Sequence, residues 1–224
     1  MTMTHHHRRL AEDIARSYEG GRWLRGYIKG KLRGDPVFAA GETAVSGSDG
    51  PVIDLGCGLG LFGMWLRAHG HAQAYRGCDL GGWKIRAGNE AATRLGYSNF
   101  TLCEGDMLEF PLDGAGIVCA FDVLHYLPPD KQNLLISRLA SAARNGAVIL
   151  IRTGVRGCGW RSWVTILEEL WTRATGWIGG GRINFPRLPD LVAEFERREC
   201  LARAHALWGK TPFSSHWVQV CARD

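Results

Sequence analysis

From residue 51 onwards, short apolar runs alternate with segments in which apolar residues recur every three or four positions. The apolar runs are typical of buried strands, and the periodic segments are typical of amphipathic helices. The pattern predicts strands at 51–55, 74–80, 99–106, 116–124 and 147–153, and helices beginning near 61 and spanning 82–95 and 129–144. Strands that alternate with helices in this way form a parallel sheet with right-handed crossovers.

The last third of the chain departs from this alternation. Residues 162–174 and 190–199 have the apolar spacing of helices, whereas 203–208 and 216–222 are predicted to be two strands of a hairpin. The predicted fold is therefore α/β, a Rossmann-like open twisted sheet. It is mostly parallel, ends in an antiparallel C-terminal hairpin and has helices on both faces.

The first fifty residues precede the alternating pattern. Residues 8–33 predict an interrupted helix with one apolar and one basic stripe, and the polar Gly/Ser stretch at 41–50 predicts a linker. The sequence thus predicts a helical lid or docking segment over 1–40, a linker over 41–50, and one domain over 51–224. Within that domain, 155–200 is expected to be an insertion that covers the substrate.

Charge is concentrated at the beginning of the chain. Residues 1–40 hold eight Lys and Arg against four Asp and Glu, which gives +4 of the formal net charge of +5. A basic segment attached to a nearly neutral domain suits an acidic partner, an anionic substrate or a membrane surface better than nucleic acid. We therefore expect no nucleic-acid partner.

Composition narrows the class of protein further. Apolar residues make up 46% and charged residues 22% of the chain, as in globular proteins. The seven cysteines are scattered without a C-x-x-C pair, and Cys57, Cys78, Cys103 and Cys119 fall in or beside strand-like runs. This predicts buried, reduced thiols rather than disulfides or zinc ligands. Since no run has signal-peptide or transmembrane length, we expect a cytoplasmic location.

Four predicted strands end in residues that suit ligand binding, and ligands of open parallel sheets bind at the carboxyl ends of strands. The first ends in D-L-G-C-G-L-G, from Asp54 to Gly60, where glycines let a ligand approach the backbone. Asp79 ends the second strand and could accept hydrogen bonds from two ribose hydroxyls. Asp106 and Met107 follow the third strand and could hold an adenine ring. Residues 121–126 follow the fourth strand, where a reacting group would lie.

Two classes of nucleotide site compete for the glycine turn. Residues 58–63 formally match G-x-G-x-x-G, which would indicate a nicotinamide or flavin oxidoreductase. That match begins three residues after the strand and behind Asp54, whose carboxylate would repel a pyrophosphate but attract the ammonium and sulfonium of S-adenosylmethionine. A full Walker lysine motif is missing, so phosphoryl transfer is not indicated. A dinucleotide-binding oxidoreductase of the NAD(P) type and a non-catalytic adenosyl-binding module remain as alternatives.

The glycine turn also carries a family resemblance. The stretch V-I-D-L-G-C-G-L-G-L-F-G at 52–63 resembles the first motif of class I S-adenosylmethionine-dependent methyltransferases, an acidic residue followed by x-G-x-G-x-G. Asp79, Asp106 and F-D-V-L-H-Y-L-P, followed by R-N-G-A, fall where later motifs of that family fall. The resemblance covers about 50–155 and the terminal hairpin, and it is greatest with the small-molecule branch that includes quinone-ring methyltransferases. The N-P-P-[YF] motif of many amino-group methyltransferases is absent, which argues against nucleic-acid bases and protein glutamine as acceptors.

The resemblance implies S-adenosyl-L-methionine as cofactor and S-adenosyl-L-homocysteine as product. It implies that the glycines approach the methionine part, that Asp79 binds the ribose, that Asp106 and Met107 contact the adenine, and that Leu80 packs on the adenine ring. Asp54 would order the glycine turn and the ammonium end. The full set of expected cofactor contacts is Asp54, Gly56, Cys57, Gly58, Gly60, Asp79, Leu80, Asp106, Met107, Phe121 and Asp122.

Methyl transfer is an in-line displacement at a sulfonium carbon, so the enzyme mainly aligns the reactants and excludes water. A neutral histidine is a plausible base for an acceptor that must lose a proton, and His125 is the first candidate, with Tyr126 beside it. Asp122 and His125 could instead only cap the helix that starts nearby or hold the loop, and Tyr126 could be a core residue. No metal-binding pattern is visible, so transfer without a metal is expected.

The acceptor is inferred from the segments outside the shared core. Arg152, Trp160 and Trp163 are the candidate substrate contacts, because arginines within a hydrophobic cover suit an aromatic or acyl acceptor with an anionic group. Such an acceptor could be tethered to a carrier protein. The basic stripe at 22–33 would then meet an acidic carrier protein or an anionic membrane surface.

Overall fold

The structure, a computed structural model, describes residues 5–156, 183–208 and 215–223. Its strands are β1 (Val52–Leu55), β2 (Tyr75–Asp79), β3 (Phe100–Glu104), β4 (Ile117–Phe121), β5 (Val148–Thr153), β6 (Cys200–Ala206) and β7 (His216–Ala222). They form a seven-stranded sheet in the order β3-β2-β1-β4-β5-β7-β6. Strands β1, β2 and β3 are parallel, whereas β7 runs antiparallel to both β5 and β6. The predicted mostly parallel sheet with a C-terminal hairpin is confirmed.

The helices alternate with these strands as the periodicity predicts. They are α1 (His5–Ser17), α2 (Arg22–Gly34), α3 (Val37–Val45), α4 (Leu61–Ala68), α5 (Gly82–Arg94), α6 (Pro129–Arg144) and α7 (Leu188–Glu196), with a 3₁₀ turn at Leu124–Tyr126. The ends of α6 agree with the prediction, because Pro is favoured in the first turn and Asn145-Gly146 ends the helix. The helix predicted at 162–174 lies outside the described residues.

The chain forms two compact units, 1–117 and 118–224, each with its own core. In the first unit, all four residues of β1 are buried, as expected for a strand covered on both faces. Buried side chains of α4 continue this core. In the second unit, α6 packs against β5, β6 and β7, and α7 packs against β6.

Residues 5–45 contain three helices, which belong to the first unit. The helix predicted at 8–33 is interrupted at Gly20 and Gly21, between α1 and α2. The buried face of α1 packs against α4 and α5, and that of α2 packs against α1. These helices therefore extend the core of this unit.

The polar stretch 41–50, for which the sequence predicts a linker, is helical over its first half. It continues α3, in which Val37, Phe38 and Val45 are buried. Glu42 accepts a hydrogen bond of 2.7 Å from Nε1 of Trp65, which anchors α3 to α4. The Gly and Ser residues of this stretch do not indicate a helix. The large buried residues that stabilise the helix lie at its two ends.

The cysteines of the described chain are free thiols. Cys78 and Cys119 are buried as predicted, but the prediction of burial is wrong for Cys103, which is exposed. Cys103 belongs to β3, the edge strand of the sheet, where most side chains are exposed. None of the described helices is both long and apolar enough to cross a lipid bilayer.

We expect Gly63→Ala to lower the free energy of unfolding by about 2 kcal/mol, because a Cβ at this position would overpack the interface between α4 and the sheet. The Cβ would lie 2.5 Å from the ring of Tyr75 and 2.6 Å from that of Phe100. The two rings are stacked, so neither can withdraw without moving the other. Urea denaturation of both proteins measures the difference.

Gly26→Ala is the matched control, since Gly26 is also helical but has no described atom within 4 Å of its Cβ position. This variant should be as stable as the wild type or up to ~1 kcal/mol more stable. Equal stability of Gly63→Ala and the wild type would contradict the packing described here.

Candidate functional site

The glycine turn connects β1 to α4 and is held by backbone hydrogen bonds. The amide of Cys57 donates to the carbonyl of Cys78 at 2.9 Å, and the amide of Gly60 donates to the carbonyl of Cys57 at 2.9 Å. Gly56, Gly58 and Gly60 have φ angles of 71°, 55° and 72°, a left-handed conformation that other residues rarely adopt. No described atom lies within 4 Å of the Cβ position of Gly58. The turn is therefore rigidly supported on one side and open at Gly58.

Asp79 connects the ends of three strands. Its Oδ2 accepts a hydrogen bond of 3.0 Å from the amide of Gly58, and its Oδ1 accepts one of 2.7 Å from the amide of Gly81. Its backbone carbonyl accepts a further bond of 3.1 Å from the amide of Gly105, after β3. The residue predicted to bind a ribose thus also organises the glycine turn. Leu80, which follows it, is 71% exposed, an unusual position for a large apolar side chain next to a buried strand.

Asp106 and Cys57, two predicted cofactor contacts, have local structural roles. Oδ1 of Asp106 accepts a hydrogen bond of 2.9 Å from the amide of Leu108, and its carbonyl accepts bonds from the amides of Glu109 and Phe110. Asp106 therefore closes a turn, and Met107 within that turn is half-buried. The sulfur of Cys57 lies 2.7 Å from the Cβ position of Gly77, so its side chain packs against β2.

Asp54 is buried behind the glycine turn. It is 3% exposed, and its Oδ2 accepts a short hydrogen bond from the hydroxyl of Tyr75. Burial raises the pKa of the Asp54 carboxyl to about 7, although the Tyr75 hydrogen bond acts in the opposite direction. From the sequence, this carboxylate is predicted to lie near a cationic ligand. In the structure its partner is Tyr75, and the carboxyl is partly protonated at neutral pH.

Tyr18 supports the same turn from α1, and the sequence analysis missed it. Its side chain is fully buried, and its hydroxyl donates a hydrogen bond of 2.6 Å to the carbonyl of Leu59. Burial raises the pKa of Tyr18 well above its usual range, so the hydroxyl remains a neutral donor. The apolar spacing of Ala11, Ile14, Ala15 and Tyr18 is a signal for a buried face. The partner of the hydroxyl depends on tertiary structure.

In the second unit, Asp122 and Arg152 form a two-point ion pair. Nε of Arg152 donates to Oδ1 of Asp122 at 2.8 Å, and Nη2 donates to Oδ2. The amide of Asp122 donates to the carbonyl of Arg152 at 2.8 Å, and Asp122 has a φ of 57°, which aspartate tolerates. Arg152, the predicted anion contact, is 8% exposed and has its charge balanced by Asp122. The ring of Phe121 lies 5.7 Å from that of Trp217.

His125 is 2% exposed, and its Nδ1 lies 3.2 Å from Oγ1 of Thr153. The Thr153 hydroxyl donates its one proton to the carbonyl of Gly154 at 3.0 Å, so Oγ1 is the acceptor toward His125. With Thr153 donating to Gly154, the neutral tautomer of His125 that fits this contact has its proton on Nδ1 and its lone pair on Nε2. The ring of Tyr126, which is half-buried, lies 4.3 Å from the imidazole.

The segment that follows β5 returns to the 3₁₀ turn at 124–126. The amide of Arg156 donates to the carbonyl of Pro186 at 2.8 Å, and the amide of Asn184 donates to the carbonyl of His125 at 2.8 Å. Arg156 and Pro186 are thus adjacent. Trp160 and Trp163, the predicted substrate contacts, lie outside the described residues.

The described residues contain no group of three His, Cys, Asp or Glu able to hold a metal ion.

We expect the free energy of unfolding to fall by up to about 4 kcal/mol, owing to Asp54, as the pH rises from the ordinary aspartate value through about 7. Because the folded pKa is raised, the native state holds a proton that the unfolded chain has already released. Asp54→Asn keeps the shape and an acceptor for Tyr75 but cannot ionise. Its stability relative to the wild type should therefore increase across this pH range, as measured by urea denaturation at several pH values. A difference that is constant with pH would contradict the raised pKa.

We expect Tyr18→Phe to lower the free energy of unfolding by about 1–2 kcal/mol, because the buried carbonyl of Leu59 loses its donor while the ring is retained. Hydrogen exchange of the amides of residues 56–62 should accelerate in this variant, since the turn loses a support. Tyr97→Phe, which removes a hydroxyl from another partly buried tyrosine of the same unit, is the control. Equal protection of the turn in Tyr18→Phe and the wild type would show that this bond does not hold it.

Comparison with known proteins gives one family model and many similar structures. Residues 52–146 match the model described as a methyltransferase domain. No curated protein sequence matches the chain. Magnesium protoporphyrin IX methyltransferase (ChlM) from Synechocystis PCC 6803 with bound SAH is similar in structure, with 18% identity, a TM-score of 0.66, and coverage of 95% of this chain and 93% of that one.

Two further structures have the same fold but longer chains. The mitomycin 7-O-methyltransferase MmcR is 18% identical, with a TM-score of 0.64 and coverage of 90% of this chain and 58% of that one. PigF with SAH is 16% identical, with a TM-score of 0.63 and coverage of 87% and 57%. At this level of identity, these likenesses show the fold. The family model covers β1 to α6, including the glycine turn, Asp79, Asp106 and His125. Residues 52–146 thus match a methyltransferase domain, and the chain has the fold of the class I S-adenosylmethionine-dependent methyltransferases.

Proposed function

We propose that this protein transfers the methyl group of S-adenosyl-L-methionine to a small-molecule acceptor and releases S-adenosyl-L-homocysteine. The observation that carries the proposal is the Asp79 carboxylate at the end of β2, bonded to the amide of Gly58 within a matched methyltransferase domain.

The first unit offers matching groups for each part of the cofactor. A carboxylate has about four lone-pair positions, so Asp79, which uses two for the amides of Gly58 and Gly81, retains acceptors for ribose hydroxyls. The exposed Leu80 supplies an apolar surface for an adenine ring, together with Met107. The open side of Gly58 admits the methionine part to the backbone.

The same geometry disfavours the dinucleotide alternative. In a dinucleotide site, amides of the glycine turn point toward the pyrophosphate. Here the amide of Gly58, the first glycine of the formal G-x-G-x-x-G match, is bonded at 3.0 Å to a carboxylate. A diphosphate there would have to displace this bond and approach a like charge, whereas a cationic donor gains from the charge of Asp79.

His125 is the base that we propose for an acceptor that loses a proton. The contact of Nδ1 with the Thr153 hydroxyl orients the ring and leaves the lone pair on Nε2. Nε2 would accept the proton that the acceptor loses. Tyr126 is the second candidate. Asp122, close to this histidine in the sequence, forms an ion pair with Arg152, and Arg152 is the contact that we propose for an anionic group on the acceptor. The step needs no metal, because the positive charge of the sulfonium already activates its methyl group and a neutral thioether leaves.

The acceptor that we propose is an aromatic or acyl compound, in keeping with the small-molecule branch that the sequence resembles. Two of the similar structures are, by their names, methyltransferases of magnesium protoporphyrin IX and of mitomycin, both small molecules. An anionic group on the acceptor, or a tether to an acidic carrier protein, would suit the arginines of the chain. The free thiols agree with a proposed cytoplasmic location.

Isothermal titration calorimetry tests the cofactor assignment. Wild-type protein should bind S-adenosylhomocysteine and should not bind NAD. Asp79→Ala should lose about 3 kcal/mol of binding free energy, roughly a hundredfold in affinity, because a doubly hydrogen-bonded charged acceptor is removed. Asp113→Ala, which removes an exposed carboxylate from a turn of the same unit, should bind as the wild type does.

Two outcomes would contradict the proposal: unchanged affinity in folded Asp79→Ala, or preferential binding of NAD. Transfer itself is tested by incubating the protein with methyl-labelled S-adenosylmethionine and a small-molecule extract, then locating the labelled product. His125→Asn should reduce labelling while leaving the affinity for S-adenosylhomocysteine unchanged. Binding of the cofactor without any labelled product would favour the non-catalytic adenosyl-binding module.

A further inference from the structure

Helix α2 has one face packed in the protein and one face in solvent. Ile28 and Leu32 are buried, and α2 packs through this side against α1 and α4. Arg33 donates to Glu12 of α1 at 2.6 Å, which fixes the rotation of the helix about its axis. The outer face is therefore held in place by contacts that do not involve it.

The outer face consists of three adjacent rows with a spacing of four residues, as expected for positions i and i+4 of a helix. The aromatic row is Trp23 and Tyr27, the glycine row is Gly26, Gly30 and Gly34, and the cation row is Arg25 and Lys29. Arg22 precedes the glycine row. No described atom lies within 4 Å of the Cβ position of any of the three glycines. This face is flat, and the aromatic row projects from one side of it.

The aromatic row is unusually exposed. Trp23 is 63% exposed and Tyr27 is 36% exposed, and their rings are stacked with centroids 6.1 Å apart and an interplanar angle of 12°. Two large aromatic side chains on the surface present apolar area that water solvates poorly, together with an indole N–H and a phenol O–H that favour a polar boundary. These properties are typical of side chains at the interface between water and lipid.

The charge beside the aromatic row is strongly positive. Helix α2 contains five Lys and Arg and no Asp or Glu. Lys31 and Arg33 are paired with Asp35 and Glu12, but Arg22 and Arg25 are exposed and form no ion pair with a carboxylate of the described chain. Positive charge therefore remains beside the aromatic row.

We propose that the outer face of α2 docks on an anionic lipid surface. Trp23 and Tyr27 would enter the boundary between headgroups and acyl chains, while Arg22, Arg25 and Lys29 would contact lipid phosphates. The glycine row would let the helix lie close to the surface without side chains holding it away. This assignment is independent of the methyl acceptor and of the cofactor.

A lipid surface fits this face better than an acidic protein does. An acidic partner explains the cations, but it gives no reason for two exposed aromatic rings beside a row of glycines. A lipid surface would contact all three rows at once: the aromatic rings, the glycines and the cations. It also needs no shape complementarity to a flat helix face. Both partners predict binding that weakens with salt, so the aromatic row separates them.

Sedimentation of the full-length protein with vesicles tests the proposal. The protein should bind vesicles of equal parts phosphatidylglycerol and phosphatidylcholine, and should not bind pure phosphatidylcholine. The double variant Arg22→Gln/Arg25→Gln should bind the anionic vesicles roughly 30-fold more weakly. Trp23→Ala should weaken binding by roughly tenfold or more, because the exposed ring can no longer be buried in lipid.

The matched controls carry the same changes on β6 and near the C-terminus. Arg203→Gln/Arg223→Gln removes two exposed cations, and Trp208→Ala removes a tryptophan that is 39% exposed. Both should bind the vesicles as the wild type does. Circular dichroism and the affinity for S-adenosylhomocysteine should be unchanged in all four variants, which separates loss of docking from loss of fold.

Three results would overturn the proposal: no binding to anionic vesicles, equal binding to neutral ones, or unchanged binding of Trp23→Ala. An acidic protein partner would be indicated instead if the protein bound immobilised polyglutamate but no vesicles, with binding lost in Arg22→Gln/Arg25→Gln and kept in Trp23→Ala.

Discussion

The hydrogen bond from the amide of Gly58 to the carboxylate of Asp79 is the contact on which the shape of the glycine turn depends. It connects the turn after β1 to the end of β2, and the carbonyl of the same aspartate reaches the backbone after β3. One residue thus connects three strand ends. Because it does so with a negative charge, the turn is suited to a cationic adenosyl donor rather than to a diphosphate.

Two buried hydroxyls support this arrangement from behind. Tyr75 bonds to Asp54 beneath the turn, and Tyr18 bonds to the carbonyl of Leu59 from α1. Each satisfies a polar group that would be costly to leave without a partner in the interior. The N-terminal helices therefore contribute directly to the shape of the glycine turn. For the same reason, a substitution in α1 can alter the glycine turn without lying in it.

The second unit shows a similar use of paired polar groups. Asp122 and Arg152 balance each other's charge, and Thr153 orients His125. Arginine and aspartate at these positions do not by themselves indicate an anion site, because the ion pair already gives each a structural function. A buried, oriented imidazole is more informative, since the network determines which nitrogen carries the lone pair.

The sequence by itself determined the order of strands and helices and the identity of the glycine turn, because both depend on local spacing. Hydrophobic periodicity indicates α6, a proline and an Asn-Gly pair mark its ends, and three left-handed positions between a strand and a helix require glycines. Only the tertiary structure decided which groups meet. Cys103 is exposed because β3 lies at an edge of the sheet, and α3 is stabilised by buried residues at its two ends. The hydrogen-bond partners of Asp54, Tyr18 and Arg152 lie 21, 41 and 30 residues away in the sequence. Such contacts are set by packing between elements, which no local pattern of residues records.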